Sequence, residues 1–105
     1  MATFDNFTIA TLDTANKNIY SSTSDSTIVL SILVSNTNGS VTQDVTVEHV
    51  EGATIVAEVA HTIPVPADAS LELLANKYIL PSGATLRAKS SASGFLSVAT
   101  SIVVV

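Results

Sequence analysis

The sequence predicts an all-β fold: a single antiparallel β-sandwich, immunoglobulin-like or jelly-roll-like, with little or no helix. β-Branched residues, which favour strands, are abundant, whereas charged residues make up only 12% of the chain. Short apolar runs alternate with Asn, Gly, Ser and Asp at intervals of roughly 8–12 residues, the spacing typical of sandwich strands and turns. The 105 residues, 47% of them apolar, are enough for one domain with one core over residues 1–105.

Three strands are predicted in the first third of the chain. Thr3–Leu12 forms the first, in a possible N-terminal arm over residues 1–12, with Phe4 or Phe7 on its apolar side. Asn16–Tyr20 forms a short second strand. Thr27–Ser35, TIVLSILVS, is the strongest strand signal, and a strand that is apolar on both faces is central or has one face against a neighbour. One face has Ile28, Leu30, Ile32 and Val34, and the second face has Val29 and Leu33.

A hairpin is predicted next. Asn38-Gly39 separates Thr27–Ser35 from Val41–Val50, and both residues tolerate the positive φ of a tight hairpin turn. Val41–Val50 alternates in polarity, which predicts a half-buried strand. Gly52 provides the following turn, after which Ile55–Ile63 returns. The inward face has Val45, Val47 and His49, and the outward face has Asp44, Thr46 and Glu48.

The later strands are shorter. Pro64-Val65-Pro66 is expected where the chain passes from one sheet to the other. Leu71–Tyr78 is ambiguous: its apolar spacing fits a helix with Asp68 or Ser70 as N-cap, but it also fits two strands with a turn at Ala75-Asn76-Lys77, which the β-rich surroundings favour. Turns at Pro81-Ser82-Gly83 and Ser91–Gly94 then precede strands at Thr85–Ser90 and Phe95–Val105.

No catalytic, cofactor or metal site is predicted. The chain has no cysteine, which excludes a thiolate nucleophile and the cysteine-based zinc sites. His49 and His61 are expected on the inward face of adjacent strands, but pairing Val47 with Val59 separates the two rings by about 13 Å, at roughly 3.3 Å per residue, which is too far for one metal ion. The glutamates of this predicted hairpin are expected in solvent, and no serine has a Gly-x-Ser-x-Gly setting. We therefore expect a protein that is not an enzyme.

Charge and hydropathy exclude two kinds of partner. A net charge of −5 argues against nucleic acid. No apolar run approaches the roughly 20 residues that cross a bilayer, and the N-terminus has no signal-peptide pattern. Residues 1–76 carry a charge of −8 and residues 77–105 carry +3, from Lys77, Arg87 and Lys89. This asymmetry either orients copies of the chain or a partner, or reflects pairing across strands within one monomer.

Two stretches of the chain are similar to a known group of proteins. They are TIVLSILVSNTNGSVTQDVTVE, at Thr27–Glu48, and TIPVPADASLELLANKYILPSGATLRAKSSASGFLSVATSIVVV, at Thr62–Val105. In both, the chain resembles small β-sandwich virion structural proteins of tailed bacteriophages, common in marine and cyanobacterial phages. Ala75-Asn76 stands where that group often has a Gly-Gly turn, and Ser82-Gly83 where it has Ala-Gly.

The resemblance implies a virion component, assembled in the host bacterial cytoplasm, with no catalytic activity and no cofactor. The first expectation is a capsid cement (decoration) protein that binds the major capsid protein on the outside of an HK97-type shell and self-associates as a trimer or dimer. A head–tail neck or tail/fibre-base component is one alternative, and a module that binds a host-surface glycan or protein is another. The contact residues expected are Phe4 and Phe7 of the N-terminal arm, Val29 and Leu33 of the second face of Thr27–Ser35, and the basic residues Lys77, Arg87 and Lys89.

Overall fold

The computed structural model describes residues 3–22 and 26–104, in which all regular structure is β. This confirms the all-β prediction. The described residues form the strands β1 (Thr3–Ile9), β2 (Lys17–Ser21), β3 (Thr27–Asn36), β4 (Gln43–Glu51), β5 (Thr54–Val65), β6 (Ser70–Glu72), β7 (Tyr78–Leu80), β8 (Ala84–Ser90) and β9 (Leu96–Val104).

The strands pair in a nested order. β1 pairs with β9, β2 with β8, β3 with β6 and β7, and β4 with β5, all antiparallel. Further ladders between β3 and β9 and between β4 and β8 join these pairs into two sheets, β1-β9-β3-β6/β7 and β2-β8-β4-β5. A long antiparallel hairpin rolled into two facing sheets in this way is a jelly roll, the second of the two sandwich types predicted. The last strand, β9, lies inside the first sheet, between β1 and β3.

Strict alternation builds the core between the sheets. In β8 and β9 every second side chain is buried against the opposite sheet, as period-2 geometry requires. The apolar residues that are fully or almost fully buried include Leu12, Val29, Ile32, Val34, Val45, Val47, Val65, Leu80, Leu86, Ala88, Leu96, Val98 and Ile102.

The predicted hairpin at Asn38-Gly39 is wrong. β3 and β4 belong to different sheets, and Gly39 does not adopt the positive φ of a tight hairpin turn. The buried side chain of Asn36 holds a crossing connection instead. Its Nδ2 donates to the carbonyl oxygens of Val41 and Val65 (3.0 and 2.9 Å), and its Oδ1 accepts the N–H of Asn38 (2.9 Å). These bonds replace the backbone pairing that a hairpin would have provided.

Leu71–Tyr78 forms strands, as the β-rich surroundings favoured, and not a helix. β6 and β7 do not pair with each other as a hairpin would; both pair with β3, one after the other along its edge. The chain between them bends away from β3 at Ala75-Asn76. Glu72 bridges the gap, because its Oε2 accepts the backbone N–H of Ile32 at 2.7 Å, while the N–H of Leu73 donates to the carbonyl of Ile32 at 2.9 Å. β6 and β7 are therefore one interrupted edge strand.

Bulges change two strands in ways that the sequence pattern does not indicate. β3 shifts register between Val29 and Ser31, so the inward face changes from Thr27 and Val29 to Ile32 and Val34. β5, with 12 residues against 9 in β4, shifts register at three places along their ladder. Bulges of this kind twist an edge strand and limit its pairing with other chains.

Three expected connections are confirmed. Gly52, with a φ of 65°, lies in the turn between β4 and β5, which form the only ladder between strands that are consecutive in the described chain. After Pro64-Val65-Pro66 the chain leaves the second sheet and enters the first at β6. Gly83, with a φ of 82°, lies in the turn at which the chain returns to the second sheet after Pro81.

Candidate functional site

The two histidines do not form a site. His49 is buried and faces the core, as predicted, but His61 is largely exposed and its Nδ1 lies 3.0 Å from Glu58 Oε2. A bulge in β5 shifts the register at this point, so Val47 pairs with Ala60 and His61 turns outward. Within residues 3–22 and 26–104 no group of three or more His, Asp and Glu residues could hold a metal ion.

His49 connects the two sheets. Its Nδ1 lies 2.7 Å from the hydroxyl of Tyr78 on β7, and the two rings meet edge to face with centroids 5.7 Å apart. Its Nε2 lies 3.0 Å from Glu51 Oε2 and makes no hydrogen bond with a described residue. Burial raises the pKa of Tyr78 above its ordinary value of 10.0, and the negative charge of Glu51 raises it further. His49, Tyr78 and Glu51 thus form a structural contact between the two sheets.

Glu48 was expected in solvent, and this expectation is wrong. Its side chain is buried on the outer face of the second sheet, where its Oε1 accepts a hydrogen bond from Arg87 Nε at 2.8 Å. The two residues are partners in the β4–β8 ladder, so the ion pair lies directly across the strands. Arg87 is therefore engaged within the chain and only partly free for a partner.

The three basic residues do not form one patch. Lys77 lies in the connection between β6 and β7, at the edge of the first sheet. Arg87 and Lys89 lie two residues apart on β8, on the outer face of the second sheet. Sequence proximity suggested a cluster, but the chain changes sheets between Lys77 and Arg87, which separates them.

The four apolar residues predicted as contacts differ in their exposure to solvent. Phe4 is 73% exposed, on the face of β1 that points away from the core. Leu33 is 39% exposed on the outer face of β3, as predicted. Phe7 is partly buried, with its ring centroid 4.9 Å from that of Tyr20. Val29 is fully buried, so its prediction as a contact residue is wrong; the bulge in β3 turns it into the core.

The outer face of the first sheet has a row of apolar side chains that is exposed at both ends and covered at Val103, which is 7% exposed. The register pairs Phe4 of β1 with Val103 of β9, Val103 with Ile28 of β3, and Ile28 with Ile79 of β7. Directly paired residues lie on the same face, and their neighbours Ile102 and Val29 point into the core, so the four side chains lie side by side on the outer face. We call these four residues the apolar row. Phe4 and Ile79, at its two ends, are 73% and 58% exposed.

The face around the apolar row has almost no charge. On the rest of this outer face, the register places Leu33 and Ser, Thr, Asn and Ala residues. Among the described residues of β1, β3, β6, β7 and β9, Glu72 is the only charged one that the pairing places on this face. Its carboxylate is occupied by the backbone N–H groups of Ile32 and Leu74. An uncharged face with an exposed apolar row has the character of a protein interaction surface.

Sequence reasoning identified Phe4 of the row, and Leu33 elsewhere on the same face, but missed Val103, Ile28 and Ile79 as contact residues. Ile28 was placed on the face opposite Leu33, because the bulge between them is not visible in an unbroken apolar run. Ile79 lies 51 residues from its row partner Ile28, and Val103 lies 75 residues from Ile28 and 99 from Phe4, so their proximity depends on register alone. No local signal in the sequence identifies them.

Comparison with known proteins gives a match of fold. No protein-family model and no curated protein matches the chain. A chain in the crystal structure of the T13 IBDV viral particle matches with a TM-score of 0.53 and 16% identity, over 98% of this chain and 30% of that chain. This chain thus spans about a third of the protein that it matches, and the likeness at this identity is one of fold. In the described part of the chain no helix is long and apolar enough to cross a membrane.

Proposed function

We propose that the chain is a non-enzymatic structural protein of a virion and that it binds its neighbour through the outer face of the first sheet. The observation that supports this most directly is the apolar row on an almost uncharged face. Phe4 and Ile79 are large side chains exposed on a folded surface, and covering them with a partner is favourable. Jelly rolls form the shells of many viruses, which is an analogy of fold only and supports the proposal without deciding it.

The size of the row fits a contact that is weak for each copy. Complete burial of one large apolar side chain contributes roughly 1.5–3 kcal/mol, so completing the burial of Phe4 and Ile79 contributes about 2–4 kcal/mol. That is too little for tight binding of one isolated copy after the cost of association. Repetition over a symmetric particle, or self-association as a dimer or trimer, raises the effective affinity without any new contact.

Within this role, the chain is a cement protein on the outside of an HK97-type shell of a tailed bacteriophage, with the major capsid protein as its partner. The resemblance of Thr27–Glu48 and Thr62–Val105 to small phage virion proteins supports this more specific proposal. A cement protein needs only a stable fold and a surface that buries area on the shell. The stable core and the apolar row meet both needs.

Copy number tests the proposed role. Quantitative mass spectrometry of purified virions, from the virus that encodes this chain, gives its abundance relative to the major capsid protein. Hundreds of copies per particle are expected for a cement protein. About a dozen copies would instead place the chain at the neck or tail. Absence from virions would overturn the virion role and make titration with host glycans the next experiment.

A pair of double variants tests the surface. Phe4→Ser with Ile79→Ser removes the exposed ends of the apolar row and should lower occupancy on particles at least 10-fold, because about 2–4 kcal/mol of contact is lost. Ile55→Ser with Val56→Ser is the matched control, since these residues are 48% and 51% exposed but lie on β5 of the other sheet. Equal occupancy of the two variants would show that the apolar row is not the contact.

A further inference from the structure

A groove opens on one side of the sandwich, on the face of β1 opposite the apolar row. β1 is an edge of the first sheet and β2 is an edge of the second, and they lie next to each other without a ladder between them. The groove between them has a volume of about 460 Å³. Phe7 and Tyr20 meet within it, with ring centroids 4.9 Å apart, and Ile102 and Val104 of β9 also line it.

The groove combines an apolar lining with free strand edges. Its volume lies within the roughly 300–1,000 Å³ typical of binding pockets, enough for a few side chains of a partner. Among the described strands, β1 pairs only with β9 and β2 only with β8, so one side of each keeps backbone donors and acceptors that no other described strand uses. Partner peptides often bind by adding a strand to such an edge, with alternate side chains in adjacent pockets.

Asp5 gives the groove its charge. Its side chain lies on the same face of β1 as those of Thr3 and Phe7, and among the described residues it is the only charged one that lines the groove. No ion pair of the described residues involves its carboxylate. Its Oδ1 accepts the backbone N–H of Asn6 at 2.8 Å. A negative charge therefore lies beside the edge of β1 that is not paired with β9.

We propose that this groove binds an extended segment of a partner protein, which adds as a strand to β1, places apolar side chains in the groove and sets a Lys or Arg opposite Asp5. Charge favours such a partner over a second copy of this chain. Each copy has a net charge of −5, and symmetric pairing of two β1 strands would bring their Asp5 carboxylates towards each other. The groove and the apolar row are different surfaces, so this inference stands whether or not the chain is a shell protein.

Peptide binding to the purified chain tests the inference. The probes are two acetylated, amidated heptapeptides, TLTKTLT and TLTETLT, whose Leu, Lys or Glu, and Leu side chains share one face of a strand. Backbone amide chemical shifts are followed by NMR during titration. The Lys peptide should shift amides of β1 and β2 and should bind at least about 5-fold more tightly than the Glu peptide, because attraction to Asp5 replaces repulsion.

Variants make the test specific. Asp5→Asn should reduce the preference for the Lys peptide to less than 2-fold. Thr3→Trp should block the groove and abolish the shifts, whereas Thr8→Trp, on the opposite face of β1, should leave them unchanged. Shifts outside β1 and β2, no shifts at millimolar peptide, or equal binding of the two peptides would each overturn the proposal. So would dimerisation of the free chain through β1, which would assign the groove to a second copy.

Discussion

Thr62→Gly should stabilise the fold, although glycine in a strand normally destabilises it. Thr62 lies at one of the β5 bulges and has a φ of 45°, a conformation that β-branched residues almost never adopt. The left-handed region costs an L-residue roughly 1–2 kcal/mol, and glycine avoids this cost. Glycine also loses more backbone entropy on folding, which reduces the gain in stability by about 0.5–1 kcal/mol. The net expectation is a stabilisation of about 0.5–1 kcal/mol, or about 3–6 °C in Tm.

Little else should change at this site. The side chain of Thr62 is exposed, and its backbone N–H, which donates to Thr46 Oγ1 at 3.1 Å, is kept by glycine. Urea unfolding followed by circular dichroism gives the free energy of unfolding. Thr62→Ala keeps the Cβ and should change it by less than about 0.5 kcal/mol. Thr54→Gly is the matched control on the same strand, without a positive φ, and should lose about 0.5–1 kcal/mol. Equal losses in the two glycine variants would refute the reasoning.

Substitutions at three other positions test the side-chain contacts described above, each by urea unfolding. Asn36→Ala should destabilise the fold by about 2–4 kcal/mol, because a buried amide loses three hydrogen bonds; a loss below 1 kcal/mol would contradict its role in the crossing connection. Glu72→Ala should cost about 1–2 kcal/mol and Glu72→Gln clearly less, since the amide oxygen still accepts the N–H of Ile32; equal losses would count against the bridge. Because burial and Glu51 raise the pKa of Tyr78, the folded chain holds this phenol proton more tightly than the unfolded chain does. That stabilisation is complete below pH 10.0 and is lost as the pH rises through the raised pKa of Tyr78. Tyr78→Phe should therefore flatten the fall in the free energy of unfolding above pH 10.0. An unchanged fall in the variant would refute this linkage.

The strands that period-2 reasoning predicted well are those without a bulge. β8 alternates Leu86 and Ala88 inward with Arg87 and Lys89 outward, and the sequence shows this directly. β3 is apolar at nearly every position, so its bulge leaves no mark in the sequence, and Val29 was assigned to the wrong face. The hairpin rule also assumes that consecutive strands pair, whereas in this fold side-chain hydrogen bonds guide the chain from one sheet to the other.

The candidate surface was harder to predict than the fold. Exposure of Phe4 and Leu33 follows from alternation within one strand. The apolar row, however, exists only because four strands from distant parts of the sequence align Phe4, Val103, Ile28 and Ile79. A row across strands depends on register, and register here depends on bulges and on the order of strands in the sheet. Neither is encoded in a local pattern.

The place of β9 has a consequence for how this chain folds during synthesis. Of the nine described strands β9 is the last to leave the ribosome, yet it fills the position between β1 and β3. Until Leu96–Val104 emerges, β1 has no partner strand, and the edge of β3 that will receive β9 stays unpaired. The first sheet therefore closes only after translation of the strand that completes it, and the nascent chain must keep its apolar strands from other contacts until then.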